Sequence, residues 1–205
     1  APLSCELATV ADIGPNTDWS GALSGVDVVV HLAARVHVMC ETAVDPLSAF
    51  REVNVAGAER LARTAASSGI KRLVYVSSIK VNGEATNNNP FAEEDTPSPQ
   101  DPYGISKYEA ELVVREYLNK GLPVVIVRPA MVMGPGDLYP TPSGTIVLDM
   151  LHGRVPCYFD GGIDIVDVDD VAAGHILAME HAEPGETFNL GCQGNFTAVG
   201  DLFQH

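Results

Sequence analysis

Cations are scarce in this chain: 12 lysines and arginines stand against 27 aspartates and glutamates, a formal charge of −15. That balance argues against nucleic-acid binding and against attraction to anionic membranes. Long apolar runs are also lacking. No stretch reaches the eighteen apolar residues of a spanning helix, and Ala1 opens neither a basic start nor a signal core, so a cytoplasmic setting is expected. Cysteine is sparse and scattered: Cys5, Cys40, Cys157 and Cys192 form no Cys-x-x-Cys pair. Neither a zinc site nor a disulfide framework is expected, and reduced, mostly buried thiols are the simpler reading. No internal repeat occurs, and Asn87-Asn88-Asn89 is loop material. What is present is 46% hydrophobic content in 205 residues, enough for one core with a small additional lobe.

The apolar segments alternate between strand and helix periods. Glu6 to Ile13 is expected as a strand, Thr17 to Gly25 as a short helix, and Val26 to Leu32 as a β-branched strand buried in a parallel sheet. Asp45-Pro46 predicts the start of a long helix that Gly69 stops, and Arg72 to Ser78 the next buried strand. A polar loop over 82–100 precedes a helix to Lys120 and a strand over Pro123 to Arg128. Beyond lie a Pro/Gly-rich loop, a helix near Thr145 to Gly153, a short strand pair, a helix from Asp169 and a strand over Thr187 to Leu190. This β-α-β rhythm predicts an α/β fold, a Rossmann-like doubly wound parallel sheet over 1–134 with a small substrate lobe over 135–205, partly interleaved.

Such sheets bind ligands at the carboxyl ends of their strands. Asp12-Ile13, Ala33-Ala34, Ser77-Ser78 and Pro129-Ala130-Met131 all fall at those ends. The small Ala33 and Ala34 admit a planar ligand, although small residues also serve plain packing turns.

Tyr103 and Lys107 carry the sharpest chemistry. Four apart on one helix face, a phenol and an ammonium make an acid/base pair for moving hydride at a carbinol carbon, with a serine opposite. A tyrosine titrating near ~10 needs a depression of roughly 3 units, about 4 kcal/mol, to act as a base near neutrality. A buried lysine, helped by a cofactor's positive ring, is the expected source. Asp101-Pro102 supplies N-cap and first helical residue, so Tyr103 stands at the positive end of the helix dipole. Composition alone yields about 0.1 such Tyr-x-x-x-Lys pairs by chance, and an ordinary surface helix is the plain alternative.

The stretches DVVVHLAA, VNVAGAERL, LVYVSSIKVNG, DPYGISKYEAE, VVIVRPAMVMGPGD, IVDVDDVAAGHILAME and ETFNLG occur in that order. In them the chain resembles the extended short-chain dehydrogenase/reductases, and among these the NAD-dependent nucleotide-sugar epimerases and dehydratases. Up to about Gly136 the wording is similar to O-antigen UDP-hexose 4-epimerases and 4-ketoreductases; thereafter it is similar to hopanoid-associated sugar epimerases and dihydroflavonol-reductase-like proteins. The resemblance implies catalytic roles for Ser78, Tyr103 and Lys107. It places Asp12 and Ile13 at the adenine, Leu32, Ala33, Ala34 and Ser77 along the dinucleotide, and Pro129 to Met131 beside the nicotinamide. Asn54 matches an asparagine near the cofactor or holding a strand loop, and a helix-packing amide is the other reading. Lys80 and Asn82 depart from that pattern, standing where the family more usually has a small residue and a tyrosine, and substrate contact is the expectation for them. Arg35 and Arg154 are candidates for diphosphate pairing through the guanidinium fork, with a structural or solvated charge as the alternative.

One motif of that architecture is absent: no Gly-x-x-Gly-x-x-Gly turn follows the first strand, where backbone amides hold a pyrophosphate. Gly134-Pro135-Gly136 leads into a Pro-rich loop and is no substitute. The expectation is a longer protein whose first βαβ precedes Ala1 and whose last helix is cut near His205. The leading functional expectation is an NAD-dependent UDP-hexose-type 4-epimerase working through a 4-keto intermediate on a nucleotide-sugar substrate. The alternatives are an NADPH-dependent 4-ketoreductase and a non-catalytic NAD(P)-binding scaffold or sensor. NADP is left open, because the residues that read the ribose 2′ position are missing. A homodimer is expected from the resemblance, through helices carrying Leu61, Ala65, Leu112 and Val113, for which core packing is the equal alternative.

Overall fold

The computed structural model describes residues 5–36, 42–86, 89–137, 141–155 and 162–191, with the backbone of 197–198. Its centre is a four-stranded sheet in the order β1-β2-β3-β7, formed by β1 (Val28–His31), β2 (Arg72–Val76), β3 (Val124–Pro129) and β7 (Thr187–Leu190). Every pair in it is parallel. Parallel strands need both faces covered, and the β-branched runs of β2 and β3 meet that need: Leu73 through Tyr75 and Val124 through Val127 are buried.

Two helical layers cover the sheet. On one face α1 (Pro46–Phe50), a π-helical stretch over Arg51–Ala56, α2 (Gly57–Ser67) and α3 (Pro102–Glu116) lie in sequence. Their core joins Leu61, Ala62 and Ala65 of α2 to Ala110 and Val114 of α3 and to Leu73, Tyr75 and Ile126 of the sheet. On the other face α5 (Val168–His181) sets Ala178 against Val74, Val125 and Val127. Leu61 and Ala65 therefore belong to the core, whereas Leu112 is 47% exposed.

Both aspartate caps form as expected. The Asp45 side chain accepts from the Ser48 amide and the Asp101 side chain from the Gly104 amide, each with proline in the first turn. The remaining elements are β4 (Met131–Met133), α4 (Pro142–Leu151), β5 (Gly162–Ile163), β6 (Ile165–Asp167) and β8 (Thr197–Ala198). Strand β4 prolongs β3 past the sheet edge and pairs with β6, while β7 returns the chain to the main sheet beside β3.

Three sequence expectations need correction. Glu6 to Ile13 form no strand: Glu6 to Thr9 are exposed, and no strand among the described residues pairs with them. Thr17 to Gly25 forms separate turns rather than a helix. The Thr17 hydroxyl donates to the Asp12 carbonyl and accepts from the Gly14 amide, and this local bonding competes with helix propagation. Cys5 is exposed rather than buried, and the other three cysteines lie outside the described residues. No helix among the described residues is long and apolar enough to cross a membrane.

Candidate active site

Strand β2 delivers Ser77 and Ser78 to the carboxyl end of the sheet. The Ser77 amide donates to the Val127 carbonyl at 2.7 Å, which fixes this end level with β3. Ser78 then leaves the strand with an extended backbone and caps a 3₁₀ turn over Ile79–Val81, its hydroxyl accepting from the Lys80 amide at 3.2 Å.

The first turn of α3 approaches that 3₁₀ turn closely. A Cβ on Gly104 would stand 3.0 Å from the Lys80 carbonyl oxygen and 3.2 Å from a Pro99 carbon, so a larger residue would push the helix away. This close approach brings the neighbouring Tyr103 phenol to the Ser78 hydroxyl, which hydrogen-bonds it. Phe50 closes the other side, its ring 6.1 Å from that of Tyr103 in an edge contact, and the Arg35 guanidinium stacks 5.3 Å over Phe50.

The electrostatics differ from expectation. Burial holds the Tyr103 phenol above its ordinary value; the Ser78 hydrogen bond opposes this, the Asp101 charge adds to it and the Lys80 charge opposes it. Lys107 is not among the groups that shift the phenol here, and the expected depression draws also on a cofactor's positive ring. The Lys107 ammonium donates to the Val76 carbonyl at 2.6 Å and lies 4.5 Å over the Tyr75 ring, on the sheet side of the helix. Burial lowers Lys107 to about 7, with Glu111 one turn on acting the other way. Below it His31 packs between Trp19 and Tyr75 and is lowered to about 4 by burial and by the Lys107 charge.

Asn54 takes the loop-holding role. Its carbonyl oxygen accepts from the Arg35 amide at 2.7 Å, and its amide donates to the Arg35 carbonyl at 3.0 Å and to the Ser106 hydroxyl at 2.9 Å. The segment after β1 is thus tied to α3, one turn from Tyr103, through a side chain set in the π-helical stretch. Leu32 and Ala33 are exposed at the carboxyl end of β1, and Ala34 is half-buried. Asp12 is exposed, its carbonyl held by Thr17, and Ile13 packs on Gly57, where a Cβ would come within 2.7 Å of it.

The implied substrate contacts divide. Lys80 is half-buried and bridges Glu84 at 2.5 Å and Asp101 at 3.0 Å beside the tyrosine. Asn82 is turned inward instead: it donates to the Ala92 carbonyl at 2.8 Å and accepts from Arg128 at 3.1 Å, with 3% exposure. Arg154 lies past α4 on the surface, paired with Asp149 at 3.2 Å. Pro129 ends β3, and Met131 opens β4 with its amide on the Asp164 carbonyl.

Sequence reasoning missed Gly104, Phe50, His31 and the buried pair Glu111–Arg128. A glycine inside a first helical turn and a carboxylate four residues after Lys107 were the available signals.

The nicotinamide end of NAD fits these residues. Lys107 carries three donors of which the Val76 carbonyl takes one, and the Ser77 hydroxyl is buried with no partner among the described residues. Residues that would cradle a pyrophosphate are not among those described.

The NAD dependent epimerase/dehydratase family model matches residues 8–191. A UDP-glucose 4-epimerase of Vibrio cholerae is 48% identical over 132 residues, covering 63% of this chain and 40% of that protein. A putative dihydroflavonol 4-reductase of Synechocystis is 37% identical over 146 residues, covering 67% and 42%. The crystal structure of gox2253 superposes with a TM-score of 0.85 at 37% identity, covering 99% of this chain and 61% of that one. The chain thus spans less than half the length of these two curated relatives. With the parallel sheet and the serine and tyrosine at its carboxyl end in place, the match over residues 8–191 makes this chain a member of the NAD-dependent epimerase/dehydratase family, a Rossmann-like family of enzymes.

Proposed function

We propose that this chain supplies the acid/base end of an NAD-dependent site that interconverts a secondary alcohol and a ketone. The observation that carries this reading is the Ser78–Tyr103 hydrogen bond, formed at the sheet's carboxyl end with Lys107 one helical turn away. Tyr103 takes the proton from the substrate hydroxyl or returns it to the carbonyl oxygen, and Ser78 holds that oxygen by a hydrogen bond. Lys107 binds the nicotinamide ribose, and the cofactor, when bound, accepts or supplies the hydride. The raised Tyr103 favours the protonated acid, so its work as a base depends on positive charge arriving with the cofactor.

The 4-position of a nucleotide sugar is the first reaction this fits. Hydroxyl deprotonation with hydride loss gives a 4-keto sugar, which turns over and regains hydride on its other face. The Vibrio cholerae relative supports it. A second reading, one-way ketone reduction, is favoured by the apolar lining of the cavity beside β4 and by the Synechocystis relative.

The test is nucleotide release from the denatured full-length protein, read by mass spectrometry, with turnover by Tyr103→Phe. Retained NAD supports epimerisation, and net use of reduced cofactor supports reduction. A Tyr103→Phe variant with full turnover removes both. Homodimerisation through the face of α3 bearing Leu112 is also proposed, and a Leu112→Glu protein with an unchanged mass by light scattering overturns it.

A further inference from the structure

Lys80 sits in the 3₁₀ turn that Ser78 caps and meets the tyrosine's helix through both its backbone and its side chain. Its amide donates to the Ser78 hydroxyl at 3.2 Å, and its carbonyl oxygen would stand 3.0 Å from a Cβ on Gly104. Its ammonium crosses to the start of α3, donating to the Asp101 carboxylate at 3.0 Å and to Glu84 at 2.5 Å. We propose that Lys80 is a positioning residue for Tyr103: it ties the capping aspartate of α3 to the serine turn and offsets the negative charge that this cap sets beside the phenol. The proposal rests on the hydride-transfer reading above and deepens it by naming a residue that prepares the acid/base group.

Geometry supports it first. The Asp101 carboxylate divides its two oxygens: Oδ1 accepts from the Gly104 amide and begins the helix, while Oδ2 accepts from Lys80. The two elements that make the Ser78–Tyr103 hydrogen bond are thus joined a second time, by residues two positions from each partner. Glu84 holds the same ammonium from its own segment, so the Lys80 side chain is fixed on two sides.

Charge supports it second. An aspartate caps a helix well, yet a carboxylate close to a phenol disfavours the phenolate. Burial is the largest influence holding the Tyr103 phenol above its ordinary value, and the Ser78 hydrogen bond opposes it; the Asp101 charge then raises the phenol and the Lys80 charge lowers it. Lys80 keeps its proton in this setting. Burial acts to lower it, but its hydrogen bonds to Glu84 and Asp101 prevail and leave it above its ordinary value. Only 32% of its side chain is exposed, so water screens its charge in part.

The other charged and titratable groups around the ring are engaged elsewhere. The Arg35 guanidinium stacks over Phe50, Arg51 pairs with Glu109, and Lys107 donates to the Val76 carbonyl. The Tyr75 phenol, on the sheet beneath α3, is raised well above its ordinary value by burial first, with the Glu111 and Tyr103 charges adding to it. Among the described residues the cation that acts on the Tyr103 phenol is therefore Lys80.

The experiment uses the full-length protein without cofactor and follows ultraviolet phenolate absorbance against pH, with the Tyr103→Phe signal subtracted to isolate one phenol. Lys80→Met is expected to move the midpoint up. Asp101→Asn, which keeps a helix cap, is expected to move it down, and the double variant to return toward wild type. Lys80→Arg keeps the charge and should keep the midpoint. Turnover of a secondary alcohol is the second readout should unfolding cut the alkaline titration short. Its rise with pH should shift in the same direction in each variant, leaving Lys80→Met about threefold or more slower at a fixed pH on that limb, with the loss in kcat rather than KM. A midpoint and limb unmoved in Lys80→Met, or an arginine variant as impaired as the methionine one, overturns the proposal. A rise in KM alone also overturns it and makes Lys80 a substrate contact. A Tyr103→Phe protein with full turnover sinks the hydride-transfer reading, while the cofactor-free titration still decides the role of Lys80.

Discussion

Replacing Arg128 by methionine tests the buried polar network that underlies the site. The Arg128 guanidinium donates to both oxygens of Glu111 at 2.8 and 2.6 Å, with the two side chains 4% and 2% exposed. A further N–H of Arg128 reaches Asn82 at 3.1 Å and so steadies the turn that Ser78 begins. Arg128→Met leaves the Glu111 carboxylate inside the protein with its bidentate partner gone. Removal of one partner from a buried pair costs about 3–5 kcal/mol. At roughly 2–4 °C per kcal/mol for a chain of this size, the melting temperature should fall by roughly 10 °C. The double change Arg128→Met with Glu111→Leu removes the stranded charge, and most of the lost stability should return. Acidification should also narrow the single variant's deficit. An unpaired buried carboxyl has a folded-state pKa above the unfolded value, so its proton-linked stability is present at low pH and lost as pH rises. The assay is urea unfolding of the full-length wild type and variants from neutral to acid pH. A single variant within about 1 kcal/mol of wild type, or a double variant no more stable than the single, refutes the reasoning.

Three further outcomes are expected. Tyr103→Phe should lose about 10²–10⁴-fold in turnover while its circular dichroism is unchanged, because the ring contact with Phe50 survives; steady-state kinetics on a secondary alcohol check this. His31, lowered to about 4, is neutral in the folded protein across a window where the unfolded chain protonates it. Its contribution, at most about 3 kcal/mol, should be present above pH 6.5 and lost as pH falls toward 4, and the loss should vanish in His31→Phe when unfolding is followed across that window. Asn54→Leu leaves the Arg35 amide and carbonyl and the Ser106 hydroxyl without this partner, at a cost of about 1–3 kcal/mol. Hydrogen exchange should then rise at Arg35, and an unchanged Arg35 amide would count against the clamp.

The sequence alone settled the features that depend on neighbours along the chain. Strand and helix periods marked β1, β2, β3 and β7, and the Asp-Pro pairs placed the starts of α1 and α3 within a residue. Four-residue spacing put Tyr103 and Lys107 on one helix, and the strand period brought Ser77 and Ser78 to the carboxyl end of β2. Tertiary structure decided which distant group satisfies each buried polar one. Asn82 and Arg128 are 46 residues apart, and Asn54 and Ser106 are 52 apart, so no local period pairs them. Lys107 looked like the tyrosine's partner by spacing, yet the Val76 carbonyl beneath α3 claims its ammonium. Glu6 to Ile13 alternate like a strand but remain coil, and among the described residues no strand pairs with them; alternation alone supplies no hydrogen-bond partner. Periodicity fixes which face of an element is apolar; the packing of elements fixes what each polar group meets there.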